Sequence, residues 1–128
     1  MTRGRAAATL VLAGTAALAA VPAQAGIADT TGRPQKKTVL VRDNYFQPAR
    51  LTVNFGSTIR FRWADDAMDI HDVKLVKAPR GVRKWQSDPG GIGYVYRRTL
   101  KAAGTYRLVC TFHEADGMKM TIVVRRRP

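Results

Sequence analysis

The residues with the most distinctive chemistry lie in the stretch CTFHEADGM, residues 110–118. It contains the chain's only cysteine, Cys110, followed by His113 and Met118, and the one other histidine is His71. Two imidazoles, one thiolate and one weak thioether form the trigonal set with a long axial methionine that suits copper in both oxidation states. We therefore predict that one copper ion is bound by His71, Cys110, His113 and Met118.

Each of these residues also has a purely structural interpretation. A free cysteine at a strand end is often a small buried hydrophobic residue, and a methionine often fills a gap in a core. Met120 lies on the same predicted strand as Met118, and we assign it to the core beneath the site. His71 is alternatively an ordinary loop histidine. Zinc is a weaker candidate than copper, because a thioether contributes little to a zinc site and no second cysteine is present.

The elements that must position these side chains are short strands separated by turns. Thr58–Trp63 alternates apolar and polar residues with a period of two, which is typical of a half-buried strand. Further strands are predicted at Thr38–Arg42, Leu51–Val53, around Val73 and Leu75, and at Gly93–Leu100, Thr105–Cys110 and Met118–Val124. No long helical periodicity follows residue 25, so we predict an all-β fold, an antiparallel sandwich of seven or eight strands.

In such a sandwich the candidate ligands fall in loops. His71 precedes one strand, Cys110 ends another, and His113 and Met118 lie in the loop that follows. The four side chains converge if these loops share one end of the sandwich. The segment 78–91 is too rich in proline and glycine for a regular strand, and we predict a long connector over one edge, anchored by Trp85.

The first 25 residues are typical of a secretory signal peptide. Arg3 and Arg5 precede an apolar run from Ala6 to Val21, and Ala23-Gln24-Ala25 forms a small-residue cleavage site. We therefore predict a signal peptide at 1–25, a polar linker at 26–37 and one copper-binding domain at 38–128. The exported protein is expected in the periplasm or outside the cell.

The charge of the chain points to anionic partners. The formal net charge is +13, and loss of the two arginines in 1–25 leaves +11. Such a surface favours contact with anionic proteins or membrane surfaces. We expect redox partner proteins, some of them anionic, peripheral contact with anionic surfaces, no nucleic-acid partner and a monomeric state. A single cysteine cannot form a disulfide within the chain.

The spacing Cys-x-x-His-x-x-x-x-Met at 110–118, followed by MTIVV at 120–124, resembles the ligand loop and last strand of the cupredoxins, the small blue copper proteins. The spacing is most similar to the plastocyanin and pseudoazurin types, and the stretch 46–59 resembles the family's first half. The similarity covers about 38–124. It implies a Greek-key β-sandwich, the same four copper ligands, and His113 as the ligand whose ring edge reaches the surface.

Two positions depart from the family pattern. Family members commonly have asparagine directly after the upstream histidine, whereas this chain has Asp72. An aspartate can accept a hydrogen bond from Thr111 but cannot donate one, so Asp72 can join the two ligand loops only as an acceptor. Phe112 stands where plastocyanin-type loops often have proline.

We predict a mononuclear type 1 copper protein that carries electrons outside the cytoplasm and is not an enzyme. No further histidines are present for the trinuclear cluster of a multicopper oxidase. The alternative is a secreted copper-binding or delivery protein that uses the same ligands. A third hypothesis is a basic β-sandwich module for polyanions or cell surfaces, in which the thiol has no special role.

Overall fold

The computed structural model describes Gly14 and residues 31–127, and that part of the chain contains eight strands. They form two four-stranded sheets, with the orders β2-β1-β4-β6 and β3-β8-β7-β5. The strands are β1 (Lys36–Arg42), β2 (Tyr45–Gln47), β3 (Arg50–Asn54), β4 (Thr58–Trp63), β5 (Lys74–Lys77), β6 (Val95–Thr99), β7 (Gly104–Val109) and β8 (Lys119–Arg125). The predicted all-β sandwich is confirmed.

The sequence patterns place seven of these strands, six of them to within two residues at either end, and the strand predicted around Val73 and Leu75 corresponds to β5. The strand that they missed is β2, which has three residues and only one buried side chain, Phe46. A segment of that length is too short to display a period of two. The bounds of β4 agree with the prediction at both ends.

The expected antiparallel pairing is wrong for two of the strand pairs. β1 runs parallel to β4, from Lys36 opposite Thr58 onward, and β3 runs parallel to β8. The chain crosses from the first sheet to the second after β2 and returns in β4 beside β1. Periodicity reports which face of a strand is buried, but it carries no information about the direction of the neighbouring strand.

The core lies between the two sheets. Alternate side chains of β4, β7 and β8 point into it and are almost wholly excluded from solvent: Ile59, Phe61, Trp63, Tyr106, Leu108, Met120, Ile122 and Val124. Burial of such side chains is the main source of stability in a domain of this size. The core therefore provides the rigid base for the loops at each end.

The connector 78–91 is anchored as predicted. The Trp85 ring lies 6.3 Å from that of Phe61 and 5.8 Å from that of Tyr96, and Arg98 stacks over it at 5.1 Å. The connector also forms two isolated bridges, of which one pairs Gly90 with His71. It therefore contacts the candidate site as well as an edge of the sandwich.

The strand directions define two ends of the sandwich. At the site end, β1, β4 and β7 finish and β5, β6 and β8 begin. At the remote end, the Phe55 amide donates to the Arg125 carbonyl and the Gly56 amide to the Leu100 carbonyl. Gly56 has φ of 81°, a left-handed conformation that glycine adopts without strain, and it turns the chain from β3 into β4.

The predicted signal peptide and residues 26–30 of the predicted linker lie outside the described residues, apart from Gly14. β1 begins at Lys36, so the last two residues of the predicted linker belong to a strand. Within the described part of the chain, none of the elements is a helix with the length and hydropathy needed to cross a membrane. The boundaries of the signal peptide and linker stay predictions.

We expect Leu108→Ala to lower the free energy of unfolding by about 2 to 5 kcal/mol, because it leaves a cavity in the core. Leu108 is fully buried, whereas Leu40 lies on the outer face of the first sheet and is only partly buried. Leu40→Ala is the matched control and should cost less than about 1 kcal/mol. Chemical denaturation of the copper-free proteins measures both values, and equal losses would contradict the assignment of faces.

Candidate metal centre

The four predicted ligands all lie at the site end. His71 is in the loop between β4 and β5, Cys110 directly follows β7, His113 lies within the loop 110–118, and Met118 directly precedes β8. His71, Cys110 and Met118 are fully buried, and the His113 side chain is 16% exposed. The structure therefore brings together residues that lie up to 47 positions apart in the sequence.

Three donor atoms form a compact triangle. The Nδ1 atoms of His71 and His113 are 3.1 Å apart, and the Cys110 Sγ lies 3.7 Å from the first and 3.6 Å from the second. A circle through three points with these separations has a radius of about 2.0 Å, close to the bond lengths of about 2.0 to 2.3 Å that imidazole nitrogen and thiolate sulfur make with zinc. The triangle therefore fits a single metal ion.

The loop 110–118 is closed by its own backbone. The Cys110 amide donates to the Met118 carbonyl at 3.1 Å, the Met118 amide donates to the His113 carbonyl at 3.1 Å, and the His113 amide donates to the Cys110 carbonyl at 3.2 Å. Gly117, with φ of 81°, provides the turn just before Met118. These bonds hold Met118 next to Cys110. Met118 and Met120 both belong to the buried core, and Met120 lies two residues further along the chain, in β8.

The backbone of His71 is held from two sides. Its amide donates to the Gly90 carbonyl at 3.1 Å, and its carbonyl accepts from the Gly90 amide at 2.9 Å and from the Trp63 indole at 3.1 Å. A Cβ at position 90 would lie 2.4 Å from the ring of Tyr94, which itself packs edge-on against Trp63. Sequence analysis did not identify these supporting residues, because their role depends on contacts between distant segments.

The distal nitrogen of His71 contacts a carboxylate. His71 Nε2 lies 2.8 Å from Asp43 Oδ1, and the amides of Met68 and Asp69 donate to the same carboxylate at 3.0 and 3.1 Å. A carboxylate acceptor makes Nε2 the protonated nitrogen and leaves the Nδ1 lone pair directed into the triangle. These hydrogen bonds, that with His71 foremost, lower the pKa of Asp43 to about 2. Asp43 was also missed, since no motif singles it out.

Asp72 ties the two ligand loops together. Its carboxylate is buried and accepts from the Thr111 amide at 2.7 Å, the Thr111 hydroxyl at 2.6 Å and the Gln86 side chain at 2.8 Å. The predicted contact with Thr111 is confirmed. Since all three partners donate, the tie does not require the amide donor of an asparagine.

His113 is the imidazole that reaches the surface. Its Nε2 lies 3.7 Å from Asp69 Oδ2, so the loop between β4 and β5 runs past the ring edge. Three apolar side chains in the same loops are at least half exposed: Met68, Ile70 and Phe112. These three side chains, here called the apolar rim, lie on the two loops that carry His71 and His113, and the His113 ring is partly exposed whereas His71 is fully enclosed.

Burial raises the pKa of the Cys110 thiol, despite hydrogen bonds that favour the thiolate. The neutral thiol is thus favoured until a cation is present. A bound metal ion reverses this preference, because its own charge stabilises the thiolate. The donor set is therefore suited to a soft metal that binds thiolate strongly.

Comparison with known proteins identifies related sequences and structures. Residues 35–125 match the model for the copper-binding proteins of the plastocyanin/azurin family. The halocyanin of Natronomonas pharaonis is 30% identical over 102 residues, which cover 77% of this chain but 61% of the halocyanin, less than two thirds of its length. A pseudoazurin from Sinorhizobium meliloti has a TM-score of 0.60 and 27% identity, covering 71% of this chain and 74% of that one.

A copper-containing nitrite reductase from Thermus scotoductus SA-01 also has a TM-score of 0.60 and 27% identity. The match covers 73% of this chain but only 23% of the reductase. The fold and the family match agree with the geometry of the site. His71, Cys110, His113 and Met118 are positioned as a type 1 copper site.

We expect Asp72→Ala to lower the free energy of unfolding of the copper-free protein by about 1 to 3 kcal/mol, because the Thr111 amide loses its acceptor. Asp72→Asn should cost less than Asp72→Ala, since its amide oxygen still accepts from the Thr111 amide, although the NH2 group in place of Oδ2 cannot accept from Gln86. Chemical denaturation measures both. Equal stabilities for the alanine variant and the parent would show that the two loops are joined by other contacts.

Proposed function

Because the chain belongs to the plastocyanin/azurin family of copper-binding proteins, we propose that it is a mononuclear type 1 copper electron carrier that works outside the cytoplasm. The observation that carries this proposal is the triangle of His71 Nδ1, His113 Nδ1 and Cys110 Sγ, with sides of 3.1 to 3.7 Å. In the proposed site these three atoms would be the strong ligands of the copper ion, and the Met118 thioether would be a weak fourth ligand.

A copper ion in this site supplies one-electron chemistry, since thiolate and thioether favour Cu(I) and imidazole suits Cu(II). The chain's own contribution is to hold the donors in place while the charge changes. His71 is tied through its backbone and its ring, and the loop 110–118 is closed by backbone hydrogen bonds. Donors that are held in this way move little between oxidation states, which favours rapid electron transfer.

We propose His113 as the point at which electrons enter and leave. Its ring edge is the exposed part of the donor triangle, and Met68, Ile70 and Phe112 around it are exposed apolar side chains. A redox partner that covers this rim would exclude water and approach the ligand directly. Exposed apolar patches with polar surroundings are typical of such contact surfaces.

We further propose that the chain is a carrier and not an enzyme. Both histidines of the chain belong to the one candidate site, so no imidazole is left for a second copper centre. The match covers only 23% of the nitrite reductase, so the activity in that protein's name is not carried over to this chain. Export to the periplasm or the extracellular space is proposed from the residues at 1–25.

The distribution of charge supports a proposal about partners. Of the nine acidic residues, all but Asp29 are described, and they lie in the loops at the site end: Asp43, Asp65, Asp66, Asp69, Asp72, Asp88, Glu114 and Asp116. The remote end contains basic residues instead, among them Arg33, Lys36, Lys77, Arg83, Lys101, Arg125, Arg126 and Arg127. We propose that a monomer contacts an anionic lipid surface through the remote end and leaves the apolar rim free for redox proteins.

Addition of Cu²⁺ to the protein without residues 1–25 tests the function. We expect an intense blue charge-transfer band and narrow copper hyperfine splitting in the electron paramagnetic resonance spectrum, both absent from Cys110→Ser because the thiolate is lost. Circular dichroism should show that the variant retains its fold. A spectrum without the blue band, or one that Cys110→Ser retains, would contradict the proposed site. Slow electron self-exchange in a blue protein would favour copper delivery over electron transfer.

Binding to vesicles with anionic lipids tests the remote end. We expect the triple variant Lys36→Glu, Lys101→Glu, Arg126→Glu to lose most of the binding, and added salt to weaken binding by the parent protein. The control is Arg50→Glu, Lys74→Glu, Lys119→Glu, which makes the same change of net charge with exposed residues at the site end. Equal losses in a sedimentation assay would show that only net charge matters, and no binding by the parent would exclude the lipid contact.

A further inference from the structure

We propose that Asp43 is a positioning residue for the metal centre, which fixes the tautomer of His71 and lowers the reduction potential by favouring Cu(II) over Cu(I). The inference rests on the proposed function, because it concerns the same site. Asp43 precedes His71 by 28 residues, and only the fold brings the two side chains together.

The position of Asp43 is set by a tight turn. Arg42 at the end of β1 pairs directly with Tyr45 at the start of β2, so Asp43 and Asn44 are the two residues of the connection. Asn44 has φ of 64°, in the left-handed region that asparagine tolerates better than most residues. β1 lies between β2 and β4 in its sheet, so the turn is attached to a strand that is paired on both sides.

The contact of Asp43 with His71 determines which ring nitrogen can bind a metal. His71 is fully buried, and its Nε2 lies 2.8 Å from Asp43 Oδ1 while its Nδ1 faces Cys110 Sγ and His113 Nδ1. A carboxylate only accepts hydrogen bonds, so the proton of the neutral imidazole resides on Nε2. The Nδ1 lone pair is then available before any metal arrives.

The same carboxylate also holds the loop between β4 and β5. Oδ1 accepts from the Asp69 amide at 3.1 Å, and Oδ2 accepts from the Met68 amide at 3.0 Å. Asp69 in turn places its carboxylate 3.7 Å from His113 Nε2. Asp43 therefore constrains His71 directly and the surroundings of His113 through one intervening residue.

The negative charge of Asp43 has a redox consequence. A carboxylate on the distal nitrogen increases the electron density that the imidazole donates through Nδ1, and its charge stabilises the more positive oxidation state of a nearby ion. Asp72 also places a negative charge near Cys110, but its oxygens accept from Thr111 and Gln86 and make no hydrogen bond to a ligand ring. Asp43 differs in that it combines the charge with a direct hydrogen bond to the His71 ring.

Three variants separate positioning from charge. Asp43→Asn removes the charge but keeps an oxygen that can accept from Nε2, whereas Asp43→Ala removes both. Asp66→Asn is the control, because Asp66 carries the same charge at the same end of the sandwich, in the loop between β4 and β5, but pairs with Arg42 on the surface. The readouts are the reduction potential, the affinities for Cu(II) and Cu(I), and the ¹⁵N nuclear magnetic resonance spectrum of the His71 ring in the copper-free protein.

We expect Asp43→Ala to weaken Cu(II) binding by about 10- to 100-fold, with a smaller effect on Cu(I). Each tenfold change in the ratio of the two affinities corresponds to about 59 mV for a one-electron couple, so the potential should rise. Asp43→Asn should also raise the potential while keeping the Nε2-protonated tautomer, which Asp43→Ala should lose. Asp66→Asn should change none of the three readouts: the potential, the copper affinities or the His71 tautomer.

A potential for Asp43→Asn equal to that of Asp66→Asn would overturn the electrostatic part of the proposal. An unchanged His71 tautomer in Asp43→Ala would overturn the positioning part. The nuclear magnetic resonance experiment needs no copper, so it tests Asp43 even if the parent protein fails to form a blue centre. That failure would instead contradict the proposed function.

Discussion

The candidate site depends on the hydrogen bonds that join Asp72 to Thr111. They connect the loop that carries His71 to the loop that carries Cys110, His113 and Met118, and the loops have no covalent link other than the chain itself. The carboxylate is buried, so these bonds are little weakened by competition with water. A 3.7 Å separation between a thiol sulfur and an imidazole nitrogen 39 residues apart follows from this tie.

The other contacts at the site keep the metal-binding side chains in the positions that the bonds between Asp72 and Thr111 allow. Gly90 and Trp63 hold the backbone of His71, Asp43 holds its ring, and Gly117 turns the chain back toward Met118. Each is a constraint on position and not a source of new donor atoms. A site built in this way has its geometry before the metal binds, which reduces the rearrangement that a change of oxidation state requires.

The two ends of the sandwich differ in the charge and the exposed apolar surface of their loops. The loops at the site end contain the eight described acidic residues and the exposed apolar side chains around His113. Some of these carboxylates are neutralised locally, as in the pairs of Arg42 with Asp66 and of Arg62 with Asp65. The remote end has no described acidic residue, so the described charged side chains there are all positive.

The sequence alone determined the donor types, the spacing of Cys110, His113 and Met118, and seven strands, because these depend on local chemistry and on a two-residue period. Only the tertiary structure decided the parallel pairs, the short strand β2, and the contacts of Asp43 and Gly90 with His71. The physical reason is that these contacts join segments far apart in the sequence, from 19 residues for Gly90 and His71 to 71 residues for β3 and β8, and so depend on how strands are ordered in the sheets. Local periodicity identifies the buried face of each strand, but it does not specify which strand or loop lies beside it.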